Sequence, residues 1–158
     1  MTPALQALAK LGVAHRVHRY ELKGDEGVSY GEAVAVALGV PPARMFKTLV
    51  AELPSHELVV GVVPVDSTLD LRALAAAAGG KSATMAAPAA AERSTGYVTG
   101  GISPFGQKKK LRTFVDASAL AFETIYASAG RRGLQVELAP AELVRATDAT
   151  VVGLAKEK

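Results

Sequence analysis

The chain contains no cysteine, no tryptophan and no asparagine, and aromatic residues make up only 5% of its 158 positions. The missing cysteine excludes disulfides, thiolate nucleophiles, iron–sulfur clusters and thiolate zinc sites together. Histidine is scarce too, with three copies. His15 and His18 fall in a segment that alternates like a strand, where residues three apart point to opposite faces and cannot chelate one metal. His56 is the third, so no metal site and no cofactor are expected. Long apolar runs are also lacking. The longest, Leu58 to Val65, is broken by Gly61 and Pro64 and falls far short of the ~20 residues that span a bilayer. The opening MTPALQALAKLG has no basic region leading into an apolar core and cleavage site. The expectation is a cytoplasmic protein without membrane contact, folded as one domain over residues 1–158. Half the residues are apolar, enough for a sizeable core.

Familiar catalytic signatures are absent as well. Gly80-Lys81-Ser82 resembles the end of a phosphate-binding loop, but Ala75 stands where its first glycine belongs. Gly101-Ile102-Ser103-Pro104-Phe105 misses a nucleophile elbow because Phe105 replaces the closing glycine. A hydrolase built on this chain is not one of the familiar nucleophilic kinds.

What is present is an alternation of short elements. Leucines at 5, 8 and 11 predict a helix over 3–11, and residues 13–21 alternate as a strand. Ser29-Tyr30-Gly31-Glu32 is a capping-box pattern opening a helix to about Leu38. Two β-branched runs, 45–53 and 57–65, flank Pro54-Ser55-His56 as a hairpin would. Helices are predicted over 69–78, 88–93 and 140–147. Strands are predicted around Gly96–Val98 and over 112–115, 122–128 and 133–138. Scattered helices between short strands indicate an α+β fold.

Three features remain unaccounted for by folding alone. Strand alternation puts Lys47 in the row of Met45, Leu49 and Ala51. A lysine in an apolar row either snorkels to water from an edge strand or meets an anion at the floor of a cleft. Gly100-Gly101 before Ile-Ser-Pro marks either an ordinary turn or backbone that lets a substrate carbonyl come close. Four of the five residues 108–112 are cationic, namely Lys108, Lys109, Lys110 and Arg112, and Arg131-Arg132 lies further on. Such a run forms a solvated loop or a phosphate-backbone contact, and the net charge of +3 permits an anionic partner without requiring one.

Phe46-Lys-Thr-Leu49, Arg93-Ser-Thr-Gly-Tyr97, Gly100-Gly-Ile-Ser-Pro-Phe-Gly-Gln-Lys-Lys109 and Gly130-Arg-Arg-Gly133 occur in this order. With them the chain resembles, over nearly its whole length, the YbaK-type Cys-tRNA(Pro) deacylases. Their superfamily includes the editing insertion domain of bacterial prolyl-tRNA synthetases. The resemblance implies a mixed, strongly curved, barrel-like sheet flanked by helices. It also implies removal of cysteine mistakenly attached to tRNA(Pro), an error that pocket size alone excludes poorly. In that family the substrate's own thiol is held to attack the ester, so the protein supplies no nucleophile.

Carried over by resemblance, Lys47 holds the 3′ end of the tRNA and the Gly100 carbonyl orients the substrate. Tyr20, Tyr30, Thr48, Gly101, Ser103, Ser128 and Gln135 line the substrate pocket. From the charge run, Lys108, Lys109, Lys110, Arg112, Arg131 and Arg132 are expected to contact the tRNA backbone. Gln135 stands where a compared family member has aspartate, which keeps hydrogen bonding but removes a charge that would attract the aminoacyl ammonium. The partners implied are the acceptor end of aminoacyl-tRNA and prolyl-tRNA synthetase, with the protein a monomer or weak dimer. Two other functions stay open: a deacylase for another small residue such as alanine, and a non-catalytic module that binds tRNA or synthetase.

Overall fold

The computed structural model describes residues 1–22 and 29–158. In chain order these form α1 (Pro3–Leu11), β1 (Arg16–Arg19), α2 (Tyr30–Leu38), β2 (Phe46–Glu52), β3 (Leu58–Pro64), β4 (Ser67–Leu69), α3 (Leu71–Ala78), β5 (Thr84–Met85), α4 (Pro88–Thr95), β6 (Arg112–Asp116), β7 (Ile125–Ser128), β8 (Leu134–Leu138), α5 (Pro140–Thr147), β9 (Thr150–Val152) and β10 (Ala155–Glu157). No helix among the described residues is long and apolar enough to cross a membrane.

Local chemistry sets the helix ends. Thr2 accepts from the Leu5 N–H at 3.2 Å, and its hydroxyl donates to the Ala129 carbonyl, tying the start of α1 to the turn after β7. Ser29 caps α2: its Oγ accepts from Glu32 N–H at 3.3 Å and donates to the Glu32 carboxylate at 2.9 Å, a side-chain bond in place of the capping box's reciprocal backbone one. Gly31 in the first turn of α2 lies so close to Val65 that a Cβ there would come within 2.6 Å of a valine methyl. This absence of a side chain lets α2 seat its N-terminus on the end of β3.

The strands pair as three sheets. β2 and β3 form the expected hairpin, with Lys47 opposite Val63 and Leu49 opposite Gly61. Parallel β6 and β9 extend it on one side and β5 on the other, in the order β5-β2-β3-β6-β9. A second sheet has the order β1-β8-β7, and β10 pairs with β4. The expectation of one sheet curving toward a barrel is met only in the mixed strand directions, since β5 and β9 are edges of the five-stranded sheet. Strand β3 sits at its centre. Val60 and Val62 pack with Phe46, Val50, Val115 and Leu143, while Val59 and Val63 pack with Leu69, Leu74 and Ala78. All four valines are fully buried, at ~1.5–3 kcal/mol of transfer free energy each as an upper estimate.

Seven elements differ from the sequence-based expectation. Residues 96–98 are not a strand. Gly96 takes φ 82° to cap α4, and Tyr97 turns inward to donate its hydroxyl to the Phe105 carbonyl at 2.5 Å. Strand β1 spans four residues rather than nine. Strand β7 spans Ile125–Ser128 rather than 122–128, with a 3₁₀ turn, Ala117–Ala121, ahead of it. The short strands β4, β5, β9 and β10 were not expected, because two or three residues carry too little periodicity to be recognised.

A polar network joins the two larger sheets. Arg44, just before β2, donates Nε–H to the Thr124 carbonyl at 2.7 Å and pairs with Glu137 of β8 at 3.1 Å. His18 approaches the same carboxylate at 2.9 Å. The Thr124 hydroxyl first, and His18 after it, hold Glu137 below the usual carboxylate range against the opposing effect of burial. With the Met45–Tyr126 bridge beside it, this network links the start of β2 to β7 and β8.

Candidate active site

A cavity of about 410 Å³ lies between the two sheets, walled by the first turn of α2, the middle of β2, residues 85–91, the loop 99–102, and Ser128 and Gln135. That size is within the ~300–1,000 Å³ of small-ligand pockets. Its described lining contains no histidine, cysteine, aspartate or glutamate, so it holds no imidazole or carboxylate base and no thiol nucleophile.

Lys47 stands on β2 in the apolar row, as alternation predicts, with its side chain half-buried at the cavity wall. Burial lowers the pKa of its ammonium below the ordinary lysine value, and Lys158 adds to the effect; Glu32 and Asp66 oppose it. Lys158 reaches back from beyond β10 to ion-pair with Glu32. The site thus holds a cation that is partly desolvated and only partly neutralised.

Thr48 points to the opposite face from Lys47 and is 8% exposed; Gln135, on β8, is 7% exposed. Thr48 Oγ1 and Gln135 Oε1 are buried and have no hydrogen-bond partner among the described residues, and both residues line the cavity. An unpaired buried polar oxygen costs ~1–3 kcal/mol, so each of these calls for an explanation.

The aromatic side of the mouth is a stack. Tyr20 lies outside the lining but hydrogen-bonds through its hydroxyl to that of Tyr30 at 2.7 Å. Burial, and then the bond to Tyr20, raises the Tyr30 phenol above its ordinary pKa. The Arg132 guanidinium covers the other side of Tyr30, 4.6 Å from the ring centroid. It also lies against Gly100, whose φ is 93°; a Cβ at Gly100 would sit 2.6 Å from two guanidinium nitrogens. Thr99 beside it is pinned by Glu92, which accepts from its N–H and its hydroxyl at 2.9 Å each.

The remaining expected site residues separate into groups. Ser128 lines the cavity, donating to the Gly101 carbonyl at 3.1 Å and accepting from Gly130 N–H. Gly101 is packed under the Arg131 backbone. Ser103 is fully buried, lies outside the lining, and accepts from Phe105 N–H at 3.2 Å. Its place is in the loop's own turn, where Gly106 lets the chain pass against Pro3 of α1. Lys108 and Lys109 are exposed, and Lys110 ion-pairs with Asp148. Arg112 is committed to Glu57 through two bonds of 2.8 Å and to the Ala78 carbonyl. Lys110 and Arg112 are thus engaged by carboxylates, whereas Lys108 and Lys109 are exposed. Sequence reasoning missed Glu32, Lys158 and Glu92 as supports of the site. Their partners lie 126 residues away for the first two and seven for the third, and no local pattern announces them.

The chain is similar to known proteins in sequence and in fold. Residues 25–146 match the aminoacyl-tRNA editing domain family. EbsC of Enterococcus faecalis, named for Cys-tRNA(Pro)/Cys-tRNA(Cys) deacylation, is 40% identical over 129 residues, covering 82% of this chain and 79% of that protein. The Escherichia coli multifunctional Ser/Thr-tRNA deacylase ProXp-y is 32% identical over 124 residues, 76% of this chain and 74% of its own. The crystal structure of a trans-editing enzyme for prolyl-tRNA synthetase superposes with a TM-score of 0.84 at 23% identity, over 98% of this chain and 95% of that one. The chain belongs to the aminoacyl-tRNA editing domain family.

Proposed function

We propose that this protein, as one editing domain, removes cysteine from mischarged Cys-tRNA(Pro) in trans, by cleavage that the substrate's own thiol assists. As a member of the editing family it is an enzyme that breaks the ester bond of aminoacyl-tRNA. The observation that carries the finer reading is the cavity's chemistry. Two buried oxygens lack hydrogen-bond partners among the described residues, a lysine stands at the wall, and the described lining holds no histidine, cysteine or carboxylate.

In this reading Lys47 binds the 3′ end of the tRNA, and the Gly100 carbonyl and Gln135 Oε1 accept from the aminoacyl ammonium. Thr48, with its hydroxyl free, accepts from the thiol or donates to the ester carbonyl. The thiol sulfur attacks the ester carbon, the bond to the ribose 3′ oxygen breaks, and the thiol proton passes to that oxygen. The products are free tRNA and a cyclic thiolactone. Catalysis then rests on positioning the thiol and polarising the carbonyl. The relative named for Cys-tRNA(Pro) deacylation supports this substrate, with prolyl-tRNA synthetase as the enzyme whose error is corrected.

One observation favours a second substrate. Gln135 is a neutral acceptor, and a serine hydroxyl would satisfy the same two oxygens, with water as the nucleophile. A relative named for Ser/Thr-tRNA is 32% identical. The test is deacylation of Cys-, Ser- and Ala-tRNA(Pro) by the protein and by Lys47→Ala. Loss of cysteine alone, dependent on Lys47, is expected. Preferred loss of serine moves the substrate class to hydroxylated residues. Loss of alanine at an equal rate overturns the thiol-assisted mechanism.

A further inference from the structure

A second cavity, of about 210 Å³, lies against the first, lined by Gly96–Thr99, Gly101, Arg131 and Arg132 among others. Thr99 lines both cavities. Arg132 stands at their boundary, because its guanidinium covers Tyr30 and Gly100 of the first while the residue lines the second. The second cavity is cationic. Arg131 and Arg132 are exposed, neither has a carboxylate partner among the described residues, and Lys108 packs its Cβ on Gly96 at the rim. Glu92, which accepts from Thr99 of the lining, sets one carboxylate against these three cations. The cavity also offers an apolar surface, since Val98 is 73% exposed.

Adjoining nucleotides of a strand share one phosphate. Two contiguous cavities with a guanidinium at their junction, one cationic and carrying an exposed apolar side chain, match two successive nucleotides. We infer that the second cavity is a subsite for the nucleotide preceding the terminal adenosine of the acceptor strand, with Arg132 and Arg131 on the connecting phosphate and Val98 against the sugar or base. This rests on the deacylase reading and extends it. An arginine fork suits a phosphate oxygen pair. The contact reads backbone, so it would not by itself distinguish one tRNA from another.

The test compares 3′-aminoacyl-adenosine with 3′-aminoacyl-cytidylyl-adenosine, each as cysteinyl and seryl esters, with the full chain. In the wild type, kcat/KM rises about tenfold on adding the nucleotide, the effect of one charge-assisted phosphate contact, and this gain shrinks with salt. In Arg131→Ala/Arg132→Ala the ratio between the two substrates falls toward one. Arg132→Lys restores part of it. A damaged fold or first cavity would instead slow both substrates and leave the ratio intact, which overturns the subsite. So does wild-type turnover of both esters at equal rates. Turnover of neither ester, nor of the charged tRNA, overturns the deacylase reading itself and the subsite with it.

Discussion

Thr48 and Gln135 belong to different sheets, yet both residues line the same cavity, and each carries a buried oxygen without a hydrogen-bond partner among the described residues. Natural cores rarely leave such oxygens unpaired. The stability lost there is consistent with a site built for a ligand that supplies the missing hydrogens.

Thr48→Val tests this directly. It keeps the shape and removes the unsatisfied hydroxyl, so the free protein should be more stable, by about 1 kcal/mol in a urea melt. Deacylation should fall at least about tenfold, the kinetic equivalent of one hydrogen bond. A less stable Thr48→Val protein would mean that the hydroxyl has a partner in the fold.

Lys47 predicts a similar opposition between stability and activity. Its pKa is lowered in the folded state, chiefly by burial and then by Lys158, so the charged form is less favourable folded than unfolded. It therefore costs stability at neutral pH, and the cost fades as pH rises through the lowered folded pKa toward the ordinary ~10.4. Lys47→Met should melt no lower than wild type at pH 7 while deacylation is lost, in paired thermal melts and turnover assays. A folded Lys47→Met protein with normal turnover would remove Lys47 from the site.

Gly100 is constrained twice. At φ 93° a side chain is strained, and its Cβ would meet Arg132 at 2.6 Å. Gly100→Ala should cost about 1–2 kcal/mol in backbone strain and displace Arg132 from Tyr30. Turnover should drop at least about tenfold, with an unchanged far-ultraviolet circular dichroism spectrum. Normal turnover would show that neither the Gly100 conformation nor the stack matters.

Asp116 predicts acid sensitivity. Its carboxylate accepts from Leu154 N–H at 2.7 Å, Ala155 N–H at 2.8 Å and Ser118 N–H at 3.1 Å. Burial pushes its pKa up, but these bonds outweigh it and hold the group below the usual range. A depressed carboxylate contributes stability that is present above the unfolded value of ~3.9 and lost as pH falls through the folded value. Asp116→Ala should cost about 3 kcal/mol at pH 7 by leaving the N–H groups of Leu154 and Ala155 unpaired. Asp116→Asn should flatten the stability loss below pH ~4, as read from melts across pH. An equally steep loss in that variant would place the acid-sensitive group elsewhere.

Local chemistry was legible in the chain. The cap at Ser29 with Glu32, the β2–β3 hairpin around Pro54–His56, and Lys47 in its apolar row depend on residues a few positions apart. The strands of two and three residues became strands only because a partner lay beside them: β10 against β4, and β9 against β6. The site was legible as a set of residues but not as an arrangement. Lys47, Thr48, Gly100, Ser128 and Gln135 do meet at one cavity, whereas Ser103 is buried in its own loop and Arg112 is held by Glu57. Arg132, expected only to face the tRNA backbone, stacks on Tyr30. Residue type and spacing determined which chemistry the protein carries. The packing of β2 against β7 and β8, through contacts far apart in sequence, decided where each group points, because direction in a fold is set by the neighbours across the sheet rather than along the chain.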